Sequence, residues 1–97
     1  ALHIFLSALE CCKFELENVL SSVSTGFNYN LIREKIALVS LCYYNLGLES
    51  ENLKLVDQAV EHFRLAYSTI RQQFGYYDDV SQLYQKTYES AKEVYYY

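Results

Sequence analysis

The sequence predicts an all-α protein built from antiparallel helical hairpins. Proline is absent and glycine occurs only three times in 97 residues, so few positions interrupt a helix. Apolar residues make up 52% of the chain and recur at three- and four-residue spacing over four long stretches. Short polar segments separate these stretches, and short connections make successive helices antiparallel. The length suits one domain spanning residues 1–97.

The first helix is predicted from Leu2 to Ser21. Its apolar residues form two neighbouring stripes, which indicates a wide buried face packed against two neighbours. A serine-rich segment ending in Gly26 breaks this pattern. One stripe contains Ala1, Phe5, Ala8, Cys12 and Val19, and the other contains Leu2, Leu6, Leu9, Leu16 and Leu20.

The second helix is predicted to begin after Asn28 or Asn30, because either side chain can cap a helix N-terminus. It extends to about Glu51, and Asn52 is the expected stop. Its inward-facing residues are Ile32, Ile36, Val39, Tyr43, Leu46 and Gly47.

The third helix is predicted from about Leu55 to Phe74, with Gly75 in the position expected for a C-terminal glycine. Asp78 or Asp79 caps the fourth helix, which extends to the end of the sequence. The third helix faces inward with Val56, Ala59, Val60, Phe63, Ala66, Tyr67 and Ile70, and the fourth with Val80, Leu83, Tyr84, Tyr88, Ala91 and Tyr95.

The segment 43–66 contains a pattern that spans two helices. An aromatic residue is followed by Leu-Gly, and the next helix carries small, large and small residues at helical spacing. This pattern resembles the tetratricopeptide repeat (TPR) family, and the resemblance implies an α-solenoid segment in which helical hairpins stack on one another. The residues that carry it, and that would pack one helix against the next, are Tyr43, Leu46, Gly47, Ala59, Phe63 and Ala66.

The flanking helices repeat parts of the same pattern. Ala1, Phe5 and Ala8 have the spacing of the second half of a repeat, and residues 77–84 lie one 34-residue period after residues 43–50. Ser50 departs from the family pattern, which usually has an aromatic residue there. The resemblance covers one full repeat and its flanking helices. The alternative is an ordinary four-helix bundle, whose core uses the same residue types at helical spacing.

The resemblance also implies a groove, since the first helix of each TPR hairpin lines the concave face. An apolar groove suits an amphipathic helix or an extended hydrophobic segment of another protein. The corresponding residues in this sequence are Leu41, Tyr44, Asn45, Leu48 and Glu51.

Tyrosine is abundant, with 11 residues, and four tyrosines fall on nearly one face of the fourth helix. They either pack within the chain or form an aromatic docking face, since tyrosine is enriched at protein interfaces. The sequence favours docking onto a further helix, from the same chain or from a partner. The four residues are Tyr77, Tyr84, Tyr88 and Tyr95.

Charge argues against several classes of function. The net charge is −4 and the eight basic residues are scattered, whereas nucleic-acid binders concentrate basic residues on one face.

No apolar run reaches the ~20 residues of a membrane span. Three cysteines, two of them adjacent, suit neither a disulfide framework nor a CxxC site, which favours an intracellular and cytoplasmic location.

Catalysis, metal binding and cofactor binding have little support in the sequence. His3 and His62 lack a second ligand at suitable spacing. Cys12 and Cys42 lie on apolar faces, where a buried thiol is usually inert. Paired carboxylates before a helix serve as caps. We therefore expect no enzyme activity, no metal and no cofactor.

The expected function is that of a non-catalytic scaffold or adaptor that binds other proteins within a larger assembly. The partner is another protein or a further copy of the chain. Two alternatives remain open: a self-contained four-helix bundle that mediates oligomerisation, and a regulatory helical domain that senses a peptide or a small ligand. Because methionine is absent, we expect the sequence to be part of a longer chain.

Overall fold

The structure is a computed structural model that describes residues 2–21 and 29–96, and all regular structure within them is helical. The all-α prediction is confirmed. The expected break at residues 22–26 and the Asn28 cap lie outside the described residues, while Asn30 lies inside the second helix. The helices are α1 (Leu2–Ser21), α2 (Tyr29–Asn52), α3 (Val56–Phe74) and α4 (Asp79–Tyr96).

The helices pack mainly in sequence order, with α2 against α1, α3 against α2, and α4 against α3. The principal dimensions are 49 × 32 × 14 Å. Helices packed about 10 Å apart in a closed four-helix bundle would give two short dimensions. This chain has only one, and its radius of gyration of 14.3 Å exceeds the ~13 Å of a compact domain of this size.

Helix α2 ends in a Schellman motif, in which two backbone N–H groups return to carbonyls of the last turn. The Leu55 N–H donates to the Ser50 carbonyl over 2.8 Å, and the Lys54 N–H donates to the Glu51 carbonyl over 3.0 Å. Lys54 has a φ of 61°, in the left-handed region that favours glycine. The motif turns the chain into α3 within three residues.

The connection between α3 and α4 follows the sequence prediction. Gly75 has a φ of 87°, and its N–H donates to the Arg71 carbonyl over 2.8 Å. The Asp78 carboxylate accepts a hydrogen bond from the Val80 N–H over 3.0 Å and thereby caps α4. Both ends of this connection are therefore fixed by local hydrogen bonds.

The best-packed part of the core lies between α2 and α3. Leu46, Ala59 and Ala66 are fully buried, and Phe63 is almost so. The buried Ser40 hydroxyl donates to the Ala66 carbonyl over 2.7 Å and ties the two helices together. Small residues on one helix and large residues on the other let the two backbones approach closely.

Helix α1 is less deeply buried than its two apolar stripes predict. Leu9 is its one buried side chain among those described, with Phe5, Cys12 and Leu16 half-buried beside it. Leu6 is exposed, because α1 packs mainly on α2. The wide buried face is therefore only partly formed among the described residues.

Candidate protein-interaction surface

The residues expected to pack one helix on the next meet at the centre of the α2–α3 hairpin. The Phe63 ring lies on Gly47 so closely that a Cβ atom at residue 47 would stand 2.5 Å from its Cε1 atom. Tyr43 is half-buried between the α1–α2 and α2–α3 parts of the core. This close contact holds α2 in a fixed orientation and so positions the side chains on its other faces.

Tyr44, one of the five expected groove residues, packs against other aromatic side chains of the protein. Its ring stacks on Tyr84 with centroids 4.6 Å apart and tilts against Phe63 at 5.7 Å. Such contacts contribute about 0.5–1.5 kcal/mol beyond area burial. Tyr44 thus joins α2 to α3 and α4 and has little surface left for a partner.

Three of the four tyrosines of the expected docking face also point into the chain. Tyr84 is 6% exposed, and Tyr88 and Tyr95 are half-buried against the core. Only Tyr77, 85% exposed, is open to solvent. The sequence left open whether these tyrosines pack within the chain or dock onto another helix. The three inward tyrosines pack within the chain.

Glu51, a further expected groove residue, is held by α4. Its carboxylate accepts a hydrogen bond from the Tyr95 hydroxyl over 3.1 Å. Partial burial, together with this carboxylate, raises the pKa of Tyr95. The bond links the C-terminal ends of α2 and α4, so Glu51 positions α4 in addition to lining any groove.

The other expected groove residues lie on the open side of α2. Leu41 is 44% exposed and Leu48 is 39% exposed, with the half-buried Asn45 between them. Leu38, which no sequence pattern singles out, is also exposed and extends the row by one helical turn. We call Leu38, Leu41 and Leu48 the leucine row.

An apolar cleft opens beside Leu41, where α2, α3 and α4 meet. It has a volume of about 350 Å³, within the size range of ligand-binding pockets. Asp78, the cap of α4, is the one charged residue in its lining. The apolar lining residues are Ala37, Leu41, Ile70, Phe74, Val80 and Tyr84.

The cleft could be found only in part from the sequence. Leu41 belongs to the expected groove, and Tyr84 to the expected docking face. Phe74 and Val80 were expected as a helix end and as core, yet Val80 is 40% exposed and Phe74 is half-buried. Their meeting depends on how α3 and α4 cross, which periodicity along one helix does not specify.

A cation from α2 lies near the edge of the cleft. The Arg33 guanidinium lies over the Phe74 ring, 4.7 Å from its centroid. A cation–π contact of this kind covers one face of the ring while leaving the charge in water. Asp78 and Arg33 therefore put one charge of each sign around an otherwise apolar surface.

On α3, the neighbouring residues Glu61 and His62 both have shifted pKa values. Burial lowers the pKa of His62, and the hydrogen bond from Arg64 lowers the pKa of Glu61. The Glu61–Arg64 pair is exposed on α3, where such pairs contribute little to stability. Across the described helices and turns, no three His, Cys, Asp or Glu side chains come together as metal ligands.

None of the helices α1 to α4, within the residues described, combines the length and the apolar character needed to cross a lipid bilayer. Comparisons with protein-family models, with curated proteins and with solved structures found no match for this chain. Its function is therefore inferred from the geometry of its own surface.

Proposed function

We propose that the chain is a non-catalytic scaffold module, a TPR-like α-solenoid segment that binds another protein within a larger assembly. The observation that carries the proposal is the leucine row beside the apolar cleft. Leu41 belongs to both, so the row adjoins the cleft, with the half-buried Asn45 between Leu41 and Leu48. Apolar surface of this kind, flanked by polar residues, is typical of interaction sites.

The packing supports an open stack better than a closed bundle. The helices contact their neighbours in sequence, and only one of the three dimensions is short. In a solenoid each helical unit contacts mainly the units beside it. An oligomerisation module made of one closed bundle has less support, since it would bury its apolar residues around one central core.

The occupant of the cleft, in this proposal, is an amphipathic helix of a protein partner with basic residues beside its apolar face. Apolar side chains one turn apart would enter the cleft and lie along the leucine row. The net charge of −4 and the Asp78 carboxylate at the cleft favour basic flanking residues on the side of Asp78, away from Arg33. A cytoplasmic location belongs to the same proposal, because the described cysteines are free thiols, as in a reducing compartment.

The test uses a displayed library of helical peptides selected against the full chain. We expect enriched peptides to carry apolar residues three and four positions apart with Lys or Arg beside them. Leu41→Glu, which places a charge in the cleft, should weaken their binding at least tenfold. The matched control is Leu53→Glu, because Leu53 is similarly exposed but lies in the α2–α3 turn, outside the cleft.

Two results would overturn the proposal. Selected peptides that bind Leu41→Glu as tightly as the unchanged chain would place the interaction elsewhere. Selection that yields no helical peptide, together with displacement of a small apolar dye from the cleft by a small molecule, would favour the ligand-sensing alternative.

A further inference from the structure

Two cysteines from different helices meet at the α1–α2 interface. The Sγ atoms of Cys12 and Cys42 are 3.6 Å apart, and both residues are half-buried. A disulfide bond is about 2.05 Å long, so the two sulfurs need to approach by only about 1.5 Å. Cys11 is exposed and stands outside this contact.

We propose that Cys12 and Cys42 are a redox modification site, forming a reversible disulfide that locks α1 onto α2. The inference does not depend on the proposed scaffold function. In a reducing compartment such a bond is transient and acts as a sensor of oxidising conditions.

Helix α1 is the element that such a bond would change most. Leu9 is its one buried side chain among those described, whereas α3 has five buried side chains. Besides the Cys12–Cys42 contact, its polar links to α2 among the described residues include the exposed Lys35–Glu15 ion pair at 2.6 Å and Lys13 over the Tyr43 ring at 5.2 Å. Exposed pairs of this kind are weak. In the reduced chain, α1 is therefore expected to open more readily than α3.

The chemistry requires an oxidant, for which a low-molecular-weight disulfide such as oxidised glutathione suffices. The Cys12 thiolate attacks one sulfur of the oxidant, forms a mixed disulfide and releases one thiol. Cys42 loses its proton to solvent, attacks the Cys12 sulfur and releases the second thiol. Two protein thiols are thus oxidised to one disulfide, and one small disulfide is reduced to two thiols.

The environment of Cys42 determines the order of these steps. Burial first, and the hydrogen bond with Cys12 second, raise the pKa of Cys42 from 9.0 to about 11. Cys42 is therefore a poor first nucleophile at neutral pH, because the thiolate is the reactive form. Its contact with Cys12 lets it act second, and this step should accelerate as the pH rises towards 11.

The test uses the full Cys11→Ser chain, in which Cys12 and Cys42 are the only cysteines. After incubation with oxidised and reduced glutathione, tryptic peptides 1–13 and 36–54 should be recovered as one linked species from monomeric protein. The same reaction in denaturing urea should be at least tenfold slower, because folding brings the thiols together. Adding either Cys12→Ser or Cys42→Ser to this chain leaves one cysteine. No intramolecular link should then form in the folded state.

Amide hydrogen exchange then tests whether the disulfide holds α1 against α2. We expect the amides of α1 to exchange at least tenfold more slowly in the oxidised Cys11→Ser chain than in the reduced one, while those of α3 change little. Formation of only mixed disulfides or intermolecular links would overturn the site. A Cys12–Cys42 disulfide that leaves the amide exchange rates of α1 unchanged would show that it does not hold α1 against α2.

Discussion

The ring of Phe63 lies so close to Gly47 that a methyl group at residue 47 would overlap the ring. Phe63 is 1% exposed, so its ring is enclosed by other residues. The glycine is therefore required by packing, since its φ is that of an ordinary helical residue. This contact sets the distance between α2 and α3.

Gly47→Ala should destabilise the chain. An added Cβ would clash with the Phe63 ring at 2.5 Å, and such overpacking costs about 1–3 kcal/mol. Alanine recovers part of this through its better helix propensity, worth up to about 1 kcal/mol. We expect a net loss of about 1–2 kcal/mol, measured by urea unfolding followed by circular dichroism.

The control for this prediction is the double variant Gly47→Ala with Phe63→Leu. If the clash is the cause, the double variant loses less stability than the sum of the two single variants. A Gly47→Ala chain as stable as the unchanged one would show that α2 and α3 can separate without cost.

Alanine substitution should destabilise the chain strongly at Tyr84 and hardly at all at Tyr77. Tyr84→Ala removes a buried ring that stacks on Tyr44 and lines the cleft, so we expect a loss of about 3 kcal/mol. Tyr77→Ala removes an exposed ring, and its effect should stay within about 0.5 kcal/mol. Thermal unfolding of the two variants measures the difference, and equal losses would contradict the inward position of Tyr84.

The sequence specified the helices well. The bounds of α1 match the expected Leu2–Ser21, and Gly75 and Asp78 hold the α3–α4 connection as their residue types predict. These features depend on residues close in sequence, where glycine and capping chemistry act directly. The same holds for the inward faces of α2 and α3, which periodicity reveals.

The surfaces were harder to predict because they depend on how the helices cross. Periodicity places Tyr77, Tyr84, Tyr88 and Tyr95 on nearly one face of α4 but does not say whether that face meets another helix. Contact of Cys12 with Cys42 likewise depends on the register of α1 along α2. No pattern within a single helix contains this information.

Lys54→Gly should stabilise the chain. Lys54 adopts a φ of 61°, which costs a residue with a Cβ about 1–2 kcal/mol relative to glycine. Greater freedom of glycine in the unfolded chain offsets part of the gain. We expect an increase in unfolding free energy of up to about 1 kcal/mol, measured by urea unfolding.

The matched control is Lys54→Ala, which removes the same charge and keeps the Cβ. It should give no comparable gain. Equal stabilisation by both variants would assign the effect to the charge and not to the backbone conformation.

Stability should fall at alkaline pH through Cys42. Its pKa is raised from 9.0 to about 11 in the folded chain, so between these values the folded chain holds a proton that the unfolded chain has lost. This contribution to stability is complete below pH 9 and disappears as the pH rises to about 11. Urea unfolding at several pH values, with a reducing agent present, measures the decline.

Cys42→Ala provides the comparison. Its unfolding free energy should decline less steeply between pH 9 and 11, although ionisation of Tyr84, whose pKa burial also raises, affects both chains above pH 10. Parallel pH curves for the two chains would contradict the prediction.

Packing in sequence order has a consequence for how fast the chain folds. Each helix finds its main contacts on the helix next in sequence, so folding closes short loops and has little chain entropy to overcome. The three-residue turn between α2 and α3, together with their well-buried contacts, makes this hairpin the expected folding nucleus. Folding should then spread outward to α1 and α4 within microseconds to milliseconds, the range of helical proteins with local contacts.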